Sequence, residues 1–170
     1  MKYSDYEQNV YRYLRNYNWF KRQIKSIDIE LKGLDERIRL LGGLKGVSYD
    51  STAVMGGEKT STVEQAAIQR DELEQKAAIL RENRERIATL IKRIDDALDA
   101  LDDTDREIVR MRYIDGFRWT QIAMKAPYSQ RSCITHGQNA VKQIVALIFP
   151  IQSREEGRTE FVFACELFQD

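Results

Sequence analysis

From Tyr3 onward, apolar or aromatic residues return at alternating steps of three and four: Tyr3, Tyr6, Val10, Tyr13, Tyr17, Phe20, Ile24, Ile27, Leu31, Leu34, Ile38 and Leu41. A seam held this strictly for more than five heptads specifies a coiled-coil helix, because the wider apolar stripe of an ordinary surface helix drifts around the axis. Ser4 or Asp5 can cap its start, and Gly42-Gly43 is expected to end it, since glycine takes the left-handed conformation past a last turn cheaply. At 1.5 Å per residue such a helix is roughly 55 Å long. A rigid apolar seam of that length has to be covered along its whole run, and this requirement governs the rest of the chain.

Residues 42–62, GGLKGVSYDSTAVMGGEKTST, are rich in Gly, Ser and Thr and read as a loop. Their glycines do not make a nucleotide-binding loop: no strand precedes them, and Glu58 stands where the spacing of a Walker motif would not put it. The heptad then returns in Ala66, Leu73, Leu80, Ile87, Ile94 and Leu101, with Ala77, Ile91 and Leu98 on the alternate seam position and Arg70 and Arg84 intruding there. Residues 1–45 carry ten basic and six acidic side chains, whereas residues 58–103 carry eight basic and twelve acidic. Opposite net charges favour pairing of the two helices with each other, antiparallel across the glycine loop. A homodimer built from the same seams is the alternative. The expected architecture is all-α: a long antiparallel coiled-coil helical hairpin over 1–100 with its Gly-rich loop at 42–62, a small helix-turn-helix domain over 101–149, and a tail over 150–170.

In the antiparallel arrangement the aromatic start of the first helix lies beside the root of whatever follows residue 101. Its rings, interleaved with Arg12, Arg15, Lys21 and Arg22, have the chemistry of a single-strand stacking surface. Five of the seven, however, lie on the seam itself, which favours packing; Tyr11 and Trp19 lie off it, so they are the ones that could touch something else.

The net charge is zero, so nucleic-acid affinity requires local concentration of charge. The longest apolar run, residues 144–149, is far short of the roughly 20 residues of a membrane span, and MKYSDYEQNVY lacks an apolar signal core. A cytoplasmic protein without membrane contact is expected. Cys133 and Cys165 have neither a CxxC partner nor a histidine pair, so neither a disulfide framework nor a metal site is implied. No cofactor and no enzyme activity are expected either, for the sequence pairs no nucleophile with a base.

Local charge does concentrate between Thr104 and Phe149, with seven basic against three acidic side chains. Thr104 and Glu107 form a capping-box pattern, and the helix they start is expected to run through Ile108, Val109, Met111, Arg112 and Tyr113 and to stop at Gly116. Trp119, Ile122 and Ala123 make a short second helix closed by Pro127. Ser129 caps a third, whose apolar positions are Cys133, Ala140, Val141, Ile144, Val145 and Ile148. A small residue, Ala123, stands where a recognition helix would cross, and Ile122, Ala126, Tyr128, Cys133 and His136 fall at the distances that close the angle. His136, the single histidine, therefore reads as packed or partly buried. Gly137 in mid-helix costs roughly 1 kcal/mol against Ala, which implies close approach of a neighbouring helix.

The opposite face of the third helix has base-reading chemistry. Gln130, Arg131, Ser132, Thr135 and Gln138 are the candidate base contacts, for Gln suits adenine, Arg suits guanine, and Thr or the adjacent Ile134 suits a thymine methyl. Arg118, Lys125, Ser129, Asn139 and Lys142 are the candidate phosphate contacts. A plain three-helix packing module is the alternative without DNA.

The pattern Leu101, Asp105-Arg106, Ile108-Val109, Arg112-Tyr113, Gly116, Trp119, Ile122-Ala123 and Ser129 resembles region four of bacterial sigma-70 factors, the promoter-reading domain. Its combination with a helical hairpin and a Gly-rich middle resembles the sigma-like transcription regulators of phages and prophages of Gram-positive bacteria, the ArpU and RinA groups. The resemblance implies that Gln130, Arg131 and Ser132, then Thr135, meet bases just after the serine cap. The chain departs from the sigma pattern at Ala126-Pro127, where Leu-Gly is usual, and in the thinning of basic residues on the third helix to Arg131 and Lys142. It also lacks the segments with which a full sigma factor binds polymerase and melts a promoter.

These readings converge on a regulator that binds double-stranded DNA sequence-specifically. A small terminase subunit that marks phage DNA for packaging is the alternative, distinguishable by ring assembly in light scattering. A third reading makes the hairpin a grip for RNA polymerase or a sigma factor. The apolar cluster Phe161, Val162, Phe163, Leu167 and Phe168 in the tail is compatible with a back-folded segment, a strand or a partner contact.

Overall fold

A computed structural model describes residues 3–43 and 62–149. Helix α1 spans Tyr3–Gly43 and α2 spans Thr62–Asp99. Then come α3, Asp103–Val109, which passes directly into one π-helical turn, Arg110–Ile114; α4, Trp119–Lys125; and α5, Gln130–Ile148. Among the described residues there is no strand, so the fold is all-α, with a long helical hairpin ahead of three short-to-medium helices. The Gly-rich loop and the C-terminal tail lie outside the described residues. No helix among the described residues is long and apolar enough to cross a membrane.

The chain divides into two compact units, Met1–Arg22 with Arg86–Asp170, and Gln23–Glu85. In the second unit α1 and α2 pair antiparallel. Ile27, Leu31 and Leu34 of α1 and Ala77 of α2 are buried there. Ion pairs cross between the helices from Arg84 to Asp28 (2.6 Å), Arg81 to Asp35 (2.7 Å) and Lys76 to Glu30 (2.8 Å). Their sense is the reverse of the net charges, since every one of these pairs puts the cation on the net-acidic helix α2. These three pairs therefore do not express the opposite net charges of the two segments. Arg84, which interrupts the seam, reaches Asp28 across the hairpin, whereas Arg70 pairs with Glu74 of its own helix.

In the first unit the root of the hairpin and the three later helices share one core. Tyr6, Val10, Tyr13, Tyr17 and Phe20 are buried on the seam, as are Ile87, Ile91, Ile94 and Leu98 of α2. Tyr17 donates its hydroxyl proton to Asp95 at 2.5 Å, which closes the two helices against each other. Leu14 is buried as deeply although it lies off the seam, because α1 here has a second neighbour. Tyr11 packs on Tyr113 with ring centroids 5.1 Å apart, Tyr6 on Phe149 at 4.9 Å, and Asn18 Nδ2 donates to the Ile114 carbonyl at 3.4 Å. Burying an aromatic pair in this way adds about 0.5–1.5 kcal/mol to the area term. The off-seam aromatic Trp19 instead lies edge-on to Phe20, at 5.4 Å.

Two expected boundaries shift. Helix α3 begins at Asp103 with Asp102 as its N-cap, so Thr104 is inside the first turn and does not cap it. Arg106 explains the placement: it reaches back to Asp99 at 3.5 Å and to Asp103, tying the end of α2 to the first turn of α3. Likewise Ser4 and Asp5 lie within the first turn of α1.

Candidate nucleic-acid interface

Helix α5 starts where Ser129 accepts a hydrogen bond from the Ser132 amide at 3.2 Å. From there it is strongly two-faced. Cys133, Gly137, Ala140, Val141, Ile144, Val145 and Ile148 are buried against α3, α4 and the hairpin root. A small cluster of Ile108, Met111, Ile122 and Cys133, with Trp119, Ala123 and Ala126 packed on it, holds α3, α4 and α5 together.

Gly137 marks the closest approach. A Cβ there would stand 2.7 Å from Trp119 Cη2, nearer than a methyl tolerates, with Ile108 Cγ2 in ordinary contact at 3.6 Å. Trp119 is itself held edge-on to Tyr113 at 6.2 Å and under the Arg112 guanidinium at 5.0 Å. Arg112 also donates to the Phe117 carbonyl at 3.0 Å, while the Phe117 amide donates to the Met111 carbonyl at 2.9 Å. The turn into α4 is therefore clamped at both backbone groups of Phe117, and Gly116, with φ of 78°, supplies the left-handed residue that it needs. Tyr113 is buried in this cluster, and burial first, then the neighbouring Tyr11 hydroxyl, holds its phenol above the ordinary tyrosine range.

His136 is half exposed, with its Nδ1 2.7 Å from Asp105 Oδ1 and its ring 4.8 Å from that of Tyr128. It pins α5 to α3 at the edge of the core. Tyr128 covers it from the outer side and stays exposed, so the position expected to close the helix-turn-helix angle closes it by stacking and not by burial.

The residues expected to contact DNA separate by position. Arg131, Thr135, Gln138 and Lys142 follow one another at steps of four, three and four, all exposed, and so form one stripe about 16 Å long, with Asn139 beside it. Thr135 donates its hydroxyl proton to the Arg131 carbonyl at 3.2 Å, which leaves its methyl to meet a partner. Gln130 is exposed too, but at steps of three and four it leads into Cys133, Gly137 and Val141, the buried phase; it is outside only because it sits in the first turn. Ser132 is half buried, and its hydroxyl lies 3.2 Å from that of Ser129, within the cap. Arg118 and Lys125 stand exposed at the two ends of α4: Arg118 donates its amide to Gln121 Oε1 at 2.8 Å, and Lys125 Nζ stands 4.5 Å over the Phe117 ring.

One part of this surface is not legible from residues 101–149. Tyr11 and Arg15 of α1 line a cleft of about 230 Å³ together with Arg112, Trp119, Ile134 and Gln138. The only signal for it was the off-seam stripe Tyr11, Arg15, Asn18, spaced by four and three along α1. Among the described residues, no group of three or more His, Cys, Asp or Glu is placed to hold a metal ion.

A family model described as "Protein of unknown function (DUF722)" matches residues 7–146. The chain belongs to this family. The DUF722 match runs from the hairpin root through most of α5, so the family signature takes in hairpin and three-helix segment together. Neither a curated protein nor a solved structure matches the chain.

Proposed function

We propose that this DUF722 chain is a sequence-specific regulator of transcription, of the sigma-like phage or prophage kind, that reads double-stranded DNA with α5 in the major groove. One observation supports this above the others. The exposed stripe Arg131, Thr135, Gln138 and Lys142 combines guanine-, thymine- and adenine-reading side chains with a phosphate cation, on a helix whose opposite face is entirely committed to the core. Bases would be met by Arg131, Thr135 and Gln138, with Gln130 and Ser132 at the rim. Ser129, Arg118, Lys125, Asn139 and Lys142 would take phosphates, and the Ser129-capped N-terminus adds the favourable end of the helix dipole.

Fluorescence anisotropy on a duplex recovered by genome-wide footprinting tests the reading. Arg131→Ala weakens binding to that duplex by about 1–3 kcal/mol and relaxes the preference at one base pair. If single substitutions at Gln130, Arg131 and Thr135 all leave the affinity unchanged, the docking is wrong. A second reading, in which the hairpin grips RNA polymerase or a sigma factor, is favoured by Ile29, Leu40, Ile68 and Ile79, which are 52–74% exposed on the hairpin. Pull-down of polymerase by the full chain, lost on polar substitution of these four residues, supports it.

A further inference from the structure

Helix α1 does more than cover a seam, for Arg15 stands in the same cleft as Gln138 of the exposed α5 stripe. The lining of this cleft includes two guanidinium groups and no carboxylate. Arg112 is committed to the turn through the Phe117 carbonyl and the Trp119 ring, so its charge is fixed in place. Arg15 is exposed, and among the described residues no carboxylate pairs with it. Tyr11, Trp119 and Ile134 supply apolar walls, which focus the field of the two cations into the cleft. A second cleft, which shares Arg15, Arg112 and Tyr113, continues the groove towards Gly116 and has the Asp115 carboxylate in its lining, so the cationic part is the one beside Gln138.

The geometry points to Arg15 as a phosphate clamp: the hairpin root is part of the DNA interface and grips the strand that borders the groove read by α5. This inference rests on the DNA-binding reading above. With α5 in a major groove about 12 Å wide, a phosphate strand runs along each flank of the helix, and the cleft opens on the flank that Gln138 and Ile134 form. A guanidinium there binds a phosphodiester oxygen whatever the base, so it contributes affinity and salt dependence, and no sequence preference.

The test uses the full chain, with anisotropy titrations across a salt series on the footprinted duplex and on a scrambled one. Arg15→Ala and Arg15→Gln bind both duplexes about tenfold more weakly at 50 mM salt, and the slope of log K against log salt falls by about one. Arg15→Lys retains the wild-type slope. Circular dichroism melts of the variants match the wild type, since Arg15 is exposed and no carboxylate among the described residues pairs with it. Wild-type binding with an unchanged slope in both neutral variants overturns the clamp and leaves the α5 reading standing. So does a loss confined to one base pair. Absence of wild-type binding to any duplex overturns both.

Discussion

Gly137 faces the ring of Trp119 at a distance that leaves no room for a methyl group. Two effects oppose each other at this position. Alanine gains about 1 kcal/mol of helix propensity, but it must displace a ring that Tyr113 and Arg112 hold from two sides, and overpacking costs typically 1–3 kcal/mol. Crowding wins, so Gly137→Ala lowers stability by about 1 kcal/mol and shifts Trp119 fluorescence. In a Trp119→Leu background, where the far end of the ring is gone, the same substitution becomes neutral or stabilising. Urea titrations of the four proteins check this. A higher midpoint for Gly137→Ala alone would show that the ring yields freely. His136 illustrates the same scale differently: its spacing marks a core position, while its carboxylate partner Asp105 and the covering Tyr128 make it an edge pin.

At the scale of the element, α5 depends on its first turn. Ser129 satisfies an amide that would otherwise be orphaned, and the loss of such a cap costs about 1 kcal/mol. Ser129→Ala should lower the unfolding midpoint by that amount and Ser129→Gly by only a few tenths of a kcal/mol, whereas Ser129→Asn should restore it. Equal midpoints for Ser and Ala would remove the cap from the account. The hairpin teaches a different lesson. Its helices find each other through apolar seams, and their register is written in particular pairs, Arg84 with Asp28 and Arg81 with Asp35, whose polarity opposes that of the whole segments. Exposed pairs of this kind select an alignment more than they stabilise it.

At the scale of the whole molecule, the first compact unit draws on both ends of the sequence, and tyrosines sit at its joints. Tyr17 links α1 to α2 through Asp95, and Tyr113 links the π-helical turn to Tyr11 of α1. Both phenols lie above the ordinary tyrosine value, burial being the first cause in each. A raised folded-state value means that the folded chain holds the proton more tightly than the unfolded chain does. The associated stability is therefore complete below about pH 10, the unfolded value, and is lost as pH rises above it. Urea unfolding at pH 9, 10 and 11 should show a plateau and then a decline approaching about 1.4 kcal/mol per unit for each such tyrosine. Tyr113→Phe should be less stable at pH 9 and decline less steeply above pH 10. A variant that declines as steeply as the wild type would show that Tyr113 does not carry the alkaline limb.

Local sequence signals determined the longer elements of this protein. The heptads place α1 and α2, Ser129 and the apolar steps place α5, and Gly137 announces a close neighbour, because each of these signals is a local relation between residues a turn or two apart. What a second neighbour does to a helix is not local. Leu14 is buried off the seam and Arg15 arrives beside Gln138 because α1 packs on the three-helix segment as well as on α2. The same cause refines the exposed face of α5: the sequence names Gln130, Arg131, Ser132, Thr135 and Gln138 together, and only the tertiary packing separates the continuous stripe from the residue on the buried phase and the one held in the cap. A pattern along one helix records which face is apolar. Which neighbours cover that face, and what they bring with them, depends on contacts between residues about a hundred positions apart in the chain, as between Asn18 and Ile114.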